Sequence, residues 1–394
     1  MRIGLVTSQP LSESMGTSTT ILGFASALAD LGQEVHILTP GEKTRQLKTN
    51  LFIHGYGGSV SSLFYRQFMR LYGSPSIAGK TVLRPRVIKT VVNNFAKLIS
   101  KWLTTVDLDI VEGEQEIAAA ACLKATRRNG PPSIAHFHNV WFEECSELGL
   151  LKNGDPGLKF LQEMTYDLLH CSEGVITPTR FMLKYFRSRF GETPPKATFV
   201  PRGTNPLFSS NSSEDSSKTL VYSGTLAKNE GLELYFNSIR LLRGDCQYAV
   251  TGKGRDERRT RNLARDLDIS FHWFSKRSAY LDFLSKCSVG IIPWRMTLTR
   301  QLGFPMKLLD YMSVGLPVIC SNIGSWSEII ESYDIGLLCK PSPPEFASSI
   351  NLLLSDETRI RSMSQHAAEL SEGPFNWRES AKKLIEAYQN CSNV

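Results

Sequence analysis

Much that would settle the chemistry of this chain quickly is missing from it. Its eight cysteines form no Cys-x-x-Cys pair and no zinc-type spacing, so they read as reduced, mostly structural thiols of a cytosolic protein. There is no His-Glu-x-x-His helix to hold a metal and no Gly-x-Gly-x-x-Gly dinucleotide fingerprint. No obvious Asp-x-Asp metal motif closes a strand, and Asp266-Leu267-Asp268 falls at a helix end. No apolar run reaches the roughly 20 residues of a membrane span. Met1-Arg2-Ile3-Gly4-Leu5-Val6 is too short for a signal peptide and reads as a strand. No internal repeat is evident. Acidic residues are wholly absent from 43 to 106.

What is present is an ordinary globular composition over 394 residues, too long for one compact core, so two or three domains are expected. The chain opens with a strand at Ile3–Thr7, a loop containing Gly16, a helical period from Thr19 to Leu31, a cap at Gly32 and a strand at Glu34–Thr39. That is a βαβ unit with a glycine in its first crossover. Gly16 lets a backbone approach a phosphate or sugar, or simply makes a tight turn. Further on, an alanine-rich helix follows Glu112 to Glu116, and Pro132–Asn139 reads as a strand ending in polar residues. His138 at its C-terminal end stands where open α/β sheets bind ligands; the alternatives are a structural histidine or a metal shared with His136. A helix at Pro156–Cys171, a strand at Gly174–Thr179, a helix at Phe181–Phe190 and a strand at Ala197–Gly203 complete the first half. Residues 209 to 217, rich in Ser, Asn and acids, read as a linker, after which the α/β alternation begins again. Two such units in tandem imply a ligand cleft between them.

The acid-free tract carries Lys43, Arg45, Lys48, Arg66, Arg70, Lys80, Arg84, Arg86, Lys89, Lys97 and Lys101, interleaved with aromatic and aliphatic residues. Val87, Ile88, Val91, Val92, Phe95, Leu98, Ile99 and Trp102 have helical period. A basic amphipathic helix suggests a surface for anionic lipid; the alternative is a core-packed helix with a solvated basic rim. No nucleic-acid motif accompanies the charge.

The stretch from Gly303 to Cys320 is the most informative. Pro305 suits a first helical turn, Leu308, Leu309 and Met312 share a face, Gly315 and Pro317 end the helix, and Val318-Ile319 begin a buried strand. A helix N-terminus favours an anion, and Lys307 adds a mobile positive charge there. Asp310 lies at i+3 from Lys307 on the same face. Phosphate on the amides and a hydroxyl on the carboxylate is the pattern that a nucleoside diphosphate-sugar offers. A solvated Lys–Asp surface pair is the plainer reading.

The order of these motifs resembles the retaining family 4 of GT-B-fold glycosyltransferases over nearly the full length. In the first half the resemblance rests on the start through Gly16 and Gly32-Gln33-Glu34-Val35, on His138-Asn139, and on Val200-Pro201-Arg202-Gly203-Thr204. In the second it rests on Tyr222-Ser223-Gly224-Thr225-Leu226 with Gly231, on Thr251-Gly252-Lys253-Gly254, and on Pro305 to Val318. Phe375-Asn376-Trp377 is similar to the family's opening of a final helix that crosses back to the first domain. The resemblance implies an α/β GT-B fold of two Rossmann-like domains facing across a cleft. It implies an acceptor-binding domain over 1–208, a donor domain over 209–374 and a crossing helix over 375–394.

The activity implied is a hexosyltransferase-type, metal-independent transfer of sugar from a UDP- or GDP-linked donor, with no other cofactor. The resemblance assigns His138, Lys228 and Lys307 to catalysis. It assigns Gly16, Gly224, Thr225, Lys228, Gly252, Gly303, Phe304, Pro305, Met306, Lys307 and Asp310 to the donor. Asp310 takes the second place of the family's paired glutamates and Leu302 the first, while Thr225 and Glu230 replace its diphosphate-binding Arg and Lys. Lys228, Lys307 and Arg300 are the remaining cations. With the basic tract, this points to a lipid-linked or glycan acceptor, to an anionic membrane partner through residues 43–106, and to a cytoplasmic protein at the membrane's cytoplasmic face. It gives no nucleic-acid partner. The other reading, motivated by Leu302 and Glu230, is a catalytically degenerate protein of the same fold acting as a binding or partner subunit.

Overall fold

The computed structural model describes residues 1–11, 16–56, 83–127, 129–191, 196–207, 218–243, 246–324 and 326–392. They form two compact units, Met1–Arg202 with Trp377–Val394, and Gly203–Asn376. Both are mostly parallel sheets with helices on both faces, as buried, near-continuous apolar strands require.

Unit 1 has strands β1 (Arg2–Thr7), β2 (Glu34–Pro40), β3 (Arg45–Lys48), β4 (Leu51–Tyr56), β5 (Ile110–Glu114), β6 (Ser133–His136), β7 (Gly174–Thr177) and β8 (Ala197–Phe199). Their order is β3-β4-β2-β1-β5-β6-β7-β8, parallel throughout except for the β3/β4 pair. The helices are α1 (Gly16–Asp30), α2 (Pro85–Leu103), α3 (Gln115–Thr126), α4 (Trp141–Glu147), α5 (Pro156–Cys171) and α6 (Arg180–Phe190). The expected strand over 132–139 stops at His136, beside a β7 of only four residues, so His138 lies on the loop beyond it. The expected strand from Ala197 stops at Phe199; Pro201 has no N–H to extend an edge.

The basic tract needs correction. Arg66, Arg70 and Lys80 lie outside the described residues. In α2 the apolar stripe Ile88, Val91, Val92, Phe95, Ile99 and Trp102 is buried within unit 1, and the helix packs on α3. It therefore has no apolar face left to insert into lipid. Arg84, Arg86, Lys89, Lys97 and Lys101 are exposed, which is the core-packed helix with a basic rim. Lys48 pairs with Asp30 at 2.6 Å, and Arg45 with Glu42.

Unit 2 has strands β9 (Thr219–Ser223), β10 (Gln247–Thr251), β11 (Ile269–His272), β12 (Val289–Ile292), β13 (Val318–Ser321) and β14 (Gly336–Cys339), all parallel, in the order β11-β10-β9-β12-β13-β14. This is a doubly wound sheet whose order reverses between β9 and β12, the place where such sheets bind ligands beyond their strand ends. Its helices are α7 (Leu232–Ile239), α8 (Glu257–Leu263), α9 (Arg277–Leu284), α10 (Leu298–Leu302), α11 (Met306–Ser313), α12 (Ser327–Ser332), α13 (Pro343–Leu354) and α14 (Glu357–Glu372). Two apolar cores fill its two faces, one around Leu308, Leu309, Tyr311 and Met312 of α11, the other around Tyr235, Phe236, Phe346 and Ile350.

The final helix, α15 (Trp377–Ser392), belongs to unit 1. Trp377 meets Phe24 of α1 edge-on, with ring centroids 5.0 Å apart. Gly23 makes the approach possible, because a Cβ there would lie 2.3 Å from the Trp377 ring. Tyr388 on the same helix donates to Glu112 of β5 at 2.6 Å. All eight cysteines are unpaired, and no helix of the described residues is long and apolar enough to cross a membrane.

Candidate functional site

At the C-terminal ends of β9, β10 and β12 the backbone turns sharply and the side chains become charged. Gly224 (φ 138°) and Gly252 (φ 136°) follow β9 and β10 in a conformation open to glycine. A Cβ on Gly252 would sit 1.9 Å from the Gly224 carbonyl oxygen, so the two loops touch backbone to backbone. A Cβ on Gly224 would lie 2.9 Å from Lys307 Nζ. The lysine on α11 therefore ends directly beneath the Gly224 loop, although 83 residues separate them in the chain.

Lys307 is not the mobile charge that the sequence suggested. It is 7% exposed, with its ammonium 4.2 Å from the Tyr222 ring centroid and 3.1 Å from Glu230 Oε2. Nor does Pro305 lie inside the first turn of α11; it is the residue capping that turn. Glu230 closes a 3₁₀ turn at Lys228–Glu230 and is the hub of the cluster. Its carboxylate accepts from Lys307, from Arg300 Nη2 at 2.8 Å, from Trp294 Nε1 at 3.0 Å and from the Tyr222 hydroxyl at 3.2 Å. Burial by itself would raise the Glu230 carboxyl, but Lys307, Arg300 and the Trp294 N–H outweigh it and hold it down at about 2. Burial lowers the Lys307 ammonium, with Glu230 opposing. The Arg300 guanidinium lies over the Trp294 ring, 4.5 Å from its centroid.

Asp310, one turn along α11, does not pair with Lys307. It accepts from Arg277 Nη2 at 2.5 Å and from Tyr280 Oη at 3.0 Å, both on α9. Tyr280 also meets Ser223 Oγ at 2.5 Å, which ties α9 to the end of β9. The plain surface-pair reading of Lys307 and Asp310 thus fails: both are buried and each has its own partners.

Of the remaining residues assigned from sequence, Gly303, Phe304, Pro305 and Met306 form the lead-in to α11, with Phe304 and Pro305 buried. Thr225 and Lys228 are exposed on the Gly224 loop, and Lys228 makes no ion pair among the described residues. Leu302 is fully buried. Unit 2 therefore brings Gly224, Gly252, Lys307 and Asp310 to the C-terminal ends of its central strands. Arg277, Tyr280 and Trp294 belong there too and carried no motif to reveal them.

Gly16 and His138 lie in unit 1, Gly16 exposed at the start of α1. His138 is buried and its Nε2 is 2.5 Å from Glu114 Oε2. His136 Nδ1 is 2.8 Å from Glu112 Oε1. Burial, then the Glu112 charge, pushes the Glu114 carboxyl well up. Burial, then Arg202 and His136, pushes His138 well down. Both acids alternate along β5 as both histidines do across β6 and its loop, a period-two signal visible in the sequence as Ile110-Val111-Glu112-Gly113-Glu114. Glu114, His136 and His138 are the group among the described residues with ligand atoms close enough for a metal. Two ligands of a tetrahedral zinc stand about 3.3 Å apart; the Glu114–His138 contact is a hydrogen bond that a cation would have to part. A second Asp-x-Asp, Asp107 and Asp109, is taken up by Arg2 at 2.5 and 3.3 Å.

Two family models match the chain, one described as Glycosyltransferase Family 4 over residues 15–206, the other as Glycosyl transferases group 1 over residues 205–370. The alpha-D-kanosaminyltransferase of Streptomyces kanamyceticus is 24% identical over 183 residues, 44% of this chain and 46% of that protein, so the chain spans less than half of it. The phosphatidyl-myo-inositol mannosyltransferase of Propionibacterium freudenreichii subsp. shermanii is 24% identical over 363 residues, 86% of this chain and 81% of that protein. Among solved structures, a sucrose-phosphate synthase from Thermosynechococcus elongatus superposes with a TM-score of 0.79 at 14% identity, covering 99% of this chain and 98% of that one. An Anabaena protein solved with UDP and glucose gives 0.71 at 12% identity, covering 99% and 100%.

Proposed function

Because the chain belongs to the family 4, group 1 glycosyltransferases of GT-B fold, we propose that it moves a sugar from a nucleoside diphosphate-sugar to an acceptor hydroxyl with retention at the anomeric carbon. One observation carries the reading: Arg300, Lys307 and Asp310, from one stretch of chain, meet the Gly224 loop, from a remote one, at the strand ends of unit 2 where its order reverses.

When the diphosphate leaves, negative charge develops on its bridging and terminal oxygens. Fixed donors stabilise that charge without reorganising. Lys307, held under the Gly224 loop, and Arg300 supply the cations, and the exposed Lys228 adds a third from the loop itself. Asp310, oriented by Arg277 and Tyr280, accepts from a ribose hydroxyl. His138, steadied by Glu114, is assigned to the acceptor side. The leaving phosphate takes the acceptor proton, so no protein nucleophile is assigned and no metal is required. The relatives include a phosphatidyl-myo-inositol mannosyltransferase; with the exposed basic rim of α2, this supports a lipid-linked or membrane-surface acceptor.

Thermal shift with UDP, GDP and ADP tests the donor site, followed by hydrolysis of the matching nucleotide sugars. Stabilisation by at least one nucleotide, with slow release of its sugar, is expected. Stabilisation without any turnover would favour the second reading, a partner subunit with a degenerate site, which the partial neutralisation of Lys307 and Arg300 by Glu230 supports.

A further inference from the structure

The cations that would hold a diphosphate are already engaged. Lys307 Nζ and Arg300 Nη2 lie 3.1 and 2.8 Å from the two oxygens of Glu230, and all three side chains are largely buried. Trp294 and Tyr222 donate to the same carboxylate, so Glu230 is locked in place rather than free to swing away. Lys307 Nζ is also the atom that a Gly224 side chain would meet first, at 2.9 Å, so the ammonium lies against that loop. An anion held at the Gly224 loop is therefore close to an ammonium that already has a fixed negative charge 3.1 Å away.

We propose that Glu230 is a specificity-determining residue of the donor site, a resident counter-anion that limits how much negative charge the site will hold. This rests on the donor-site reading of unit 2. A nucleotide sugar carries two negative charges on its diphosphate, one per phosphate. The nucleoside diphosphate released from it gains a further ionisation on its terminal phosphate near neutral pH. The repulsion from Glu230 scales with that charge, so it falls harder on the product than on the donor. The buried carboxylate thereby weakens retention of the leaving group, while its two cations stay oriented for the reaction.

The test is calorimetric binding of UDP, GDP and ADP, and of UDP-glucose, GDP-mannose and ADP-glucose, to the wild type and to Glu230→Gln. Folding of the variant is checked by circular dichroism, and Glu230→Ala is the second variant should the amide pack badly. The affinity for the nucleoside diphosphate that the wild type binds is expected to rise about tenfold in either variant, with a smaller rise for its sugar ester. Equal or weaker binding of the diphosphate by folded variants overturns the proposal and leaves the donor site standing. An equal gain for diphosphate and ester overturns the product-release part. If neither the wild type nor the variants bind any of the six, the donor-site reading falls, and this proposal with it.

Discussion

Replacing Lys307 by methionine keeps the side chain out to Cε and removes its charge. Lys307 Nζ and Glu230 Oε2 are 3.1 Å apart, with side chains 8% and 11% exposed. At an effective dielectric of about 20 their gross attraction is about 5 kcal/mol. Removing the lysine also relieves the cost of burying it and its repulsion from Arg300. Arg300 stays 2.8 Å from the other carboxylate oxygen, so Glu230 is not left alone. The net loss should fall at the low end for a broken buried pair, about 3 kcal/mol. Glu230→Gln leaves two buried cations without their carboxylate and should cost a similar amount. In the double variant neither charge is stranded by the other, and the two losses should overlap by about 2 kcal/mol. Urea unfolding followed by tryptophan fluorescence reads all three, since Trp294 donates to Glu230 and packs against Trp326 at 5.5 Å. The pH dependence supplies a second check. The Glu230 carboxyl is depressed to about 2 from an ordinary 4.5, so its stabilisation is present above pH 4.5 and fades as pH falls toward 2. Lys307→Met should shrink that acid-sensitive share. Losses that add within about 0.5 kcal/mol, as independent sites do, refute the ion-pair reasoning.

Lys307→Ala and Asp310→Ala should each weaken nucleotide binding by about tenfold or more, the first by removing a phosphate donor, the second a hydroxyl acceptor; titration calorimetry decides, and unchanged affinity in both would show the donor site to be misplaced. Glu116 is buried and its carboxyl is raised to about 7, with the Trp141 N–H only partly opposing burial. A raised carboxyl keeps its proton in the folded chain, so stability is fullest below pH 4.5 and falls by about 3 kcal/mol as pH rises to 7. Glu116→Gln should flatten that part of the curve in urea unfolding at pH 5 and pH 8; an unaltered slope would assign it to other groups. Flotation with vesicles tests the basic rim of α2: recovery with anionic but not neutral lipid is expected, lowered by joint Ala substitution of Arg86, Lys89, Lys97 and Lys101. Equal recovery with both lipids would end the membrane argument.

The alternation of strands and helices was legible because each element carries its own period. Val318-Ile319 after Gly315-Leu316-Pro317 could hardly be anything but a buried strand, and it is β13. β4 and β11 escaped notice, since Leu51–Tyr56 and Ile269–His272 are short and mix histidine with apolar residues. The helix α2 shows the limit from the other side. Its pattern of apolar stripe and basic flank is the same whether the stripe meets lipid or α3, and only the fold decides.

The charges at the strand ends of unit 2 lie further beyond sequence reasoning. Read by motif, Glu230 stands where a cation is expected and so suggests an impaired site. In the folded chain that carboxylate draws Arg300 from α10 and Lys307 from α11 to the same place, 70 and 77 residues away. One acid thus meets two bases from a single remote stretch, and the cluster of three keeps one surplus positive charge. Asp310 behaves likewise: its i+3 relation to Lys307 implied a pair, but Arg277 from α9 takes the carboxylate and leaves Lys307 to Glu230. Charge pairing in a doubly wound sheet is arranged by which helices meet above the strand ends, and parallel crossovers bring together residues that local spacing cannot relate. Substituting a motif residue in such a site therefore changes its partners as well as its charge. The consequence of Glu230 has to be measured on the whole cluster, with Lys307 and Arg300 in place.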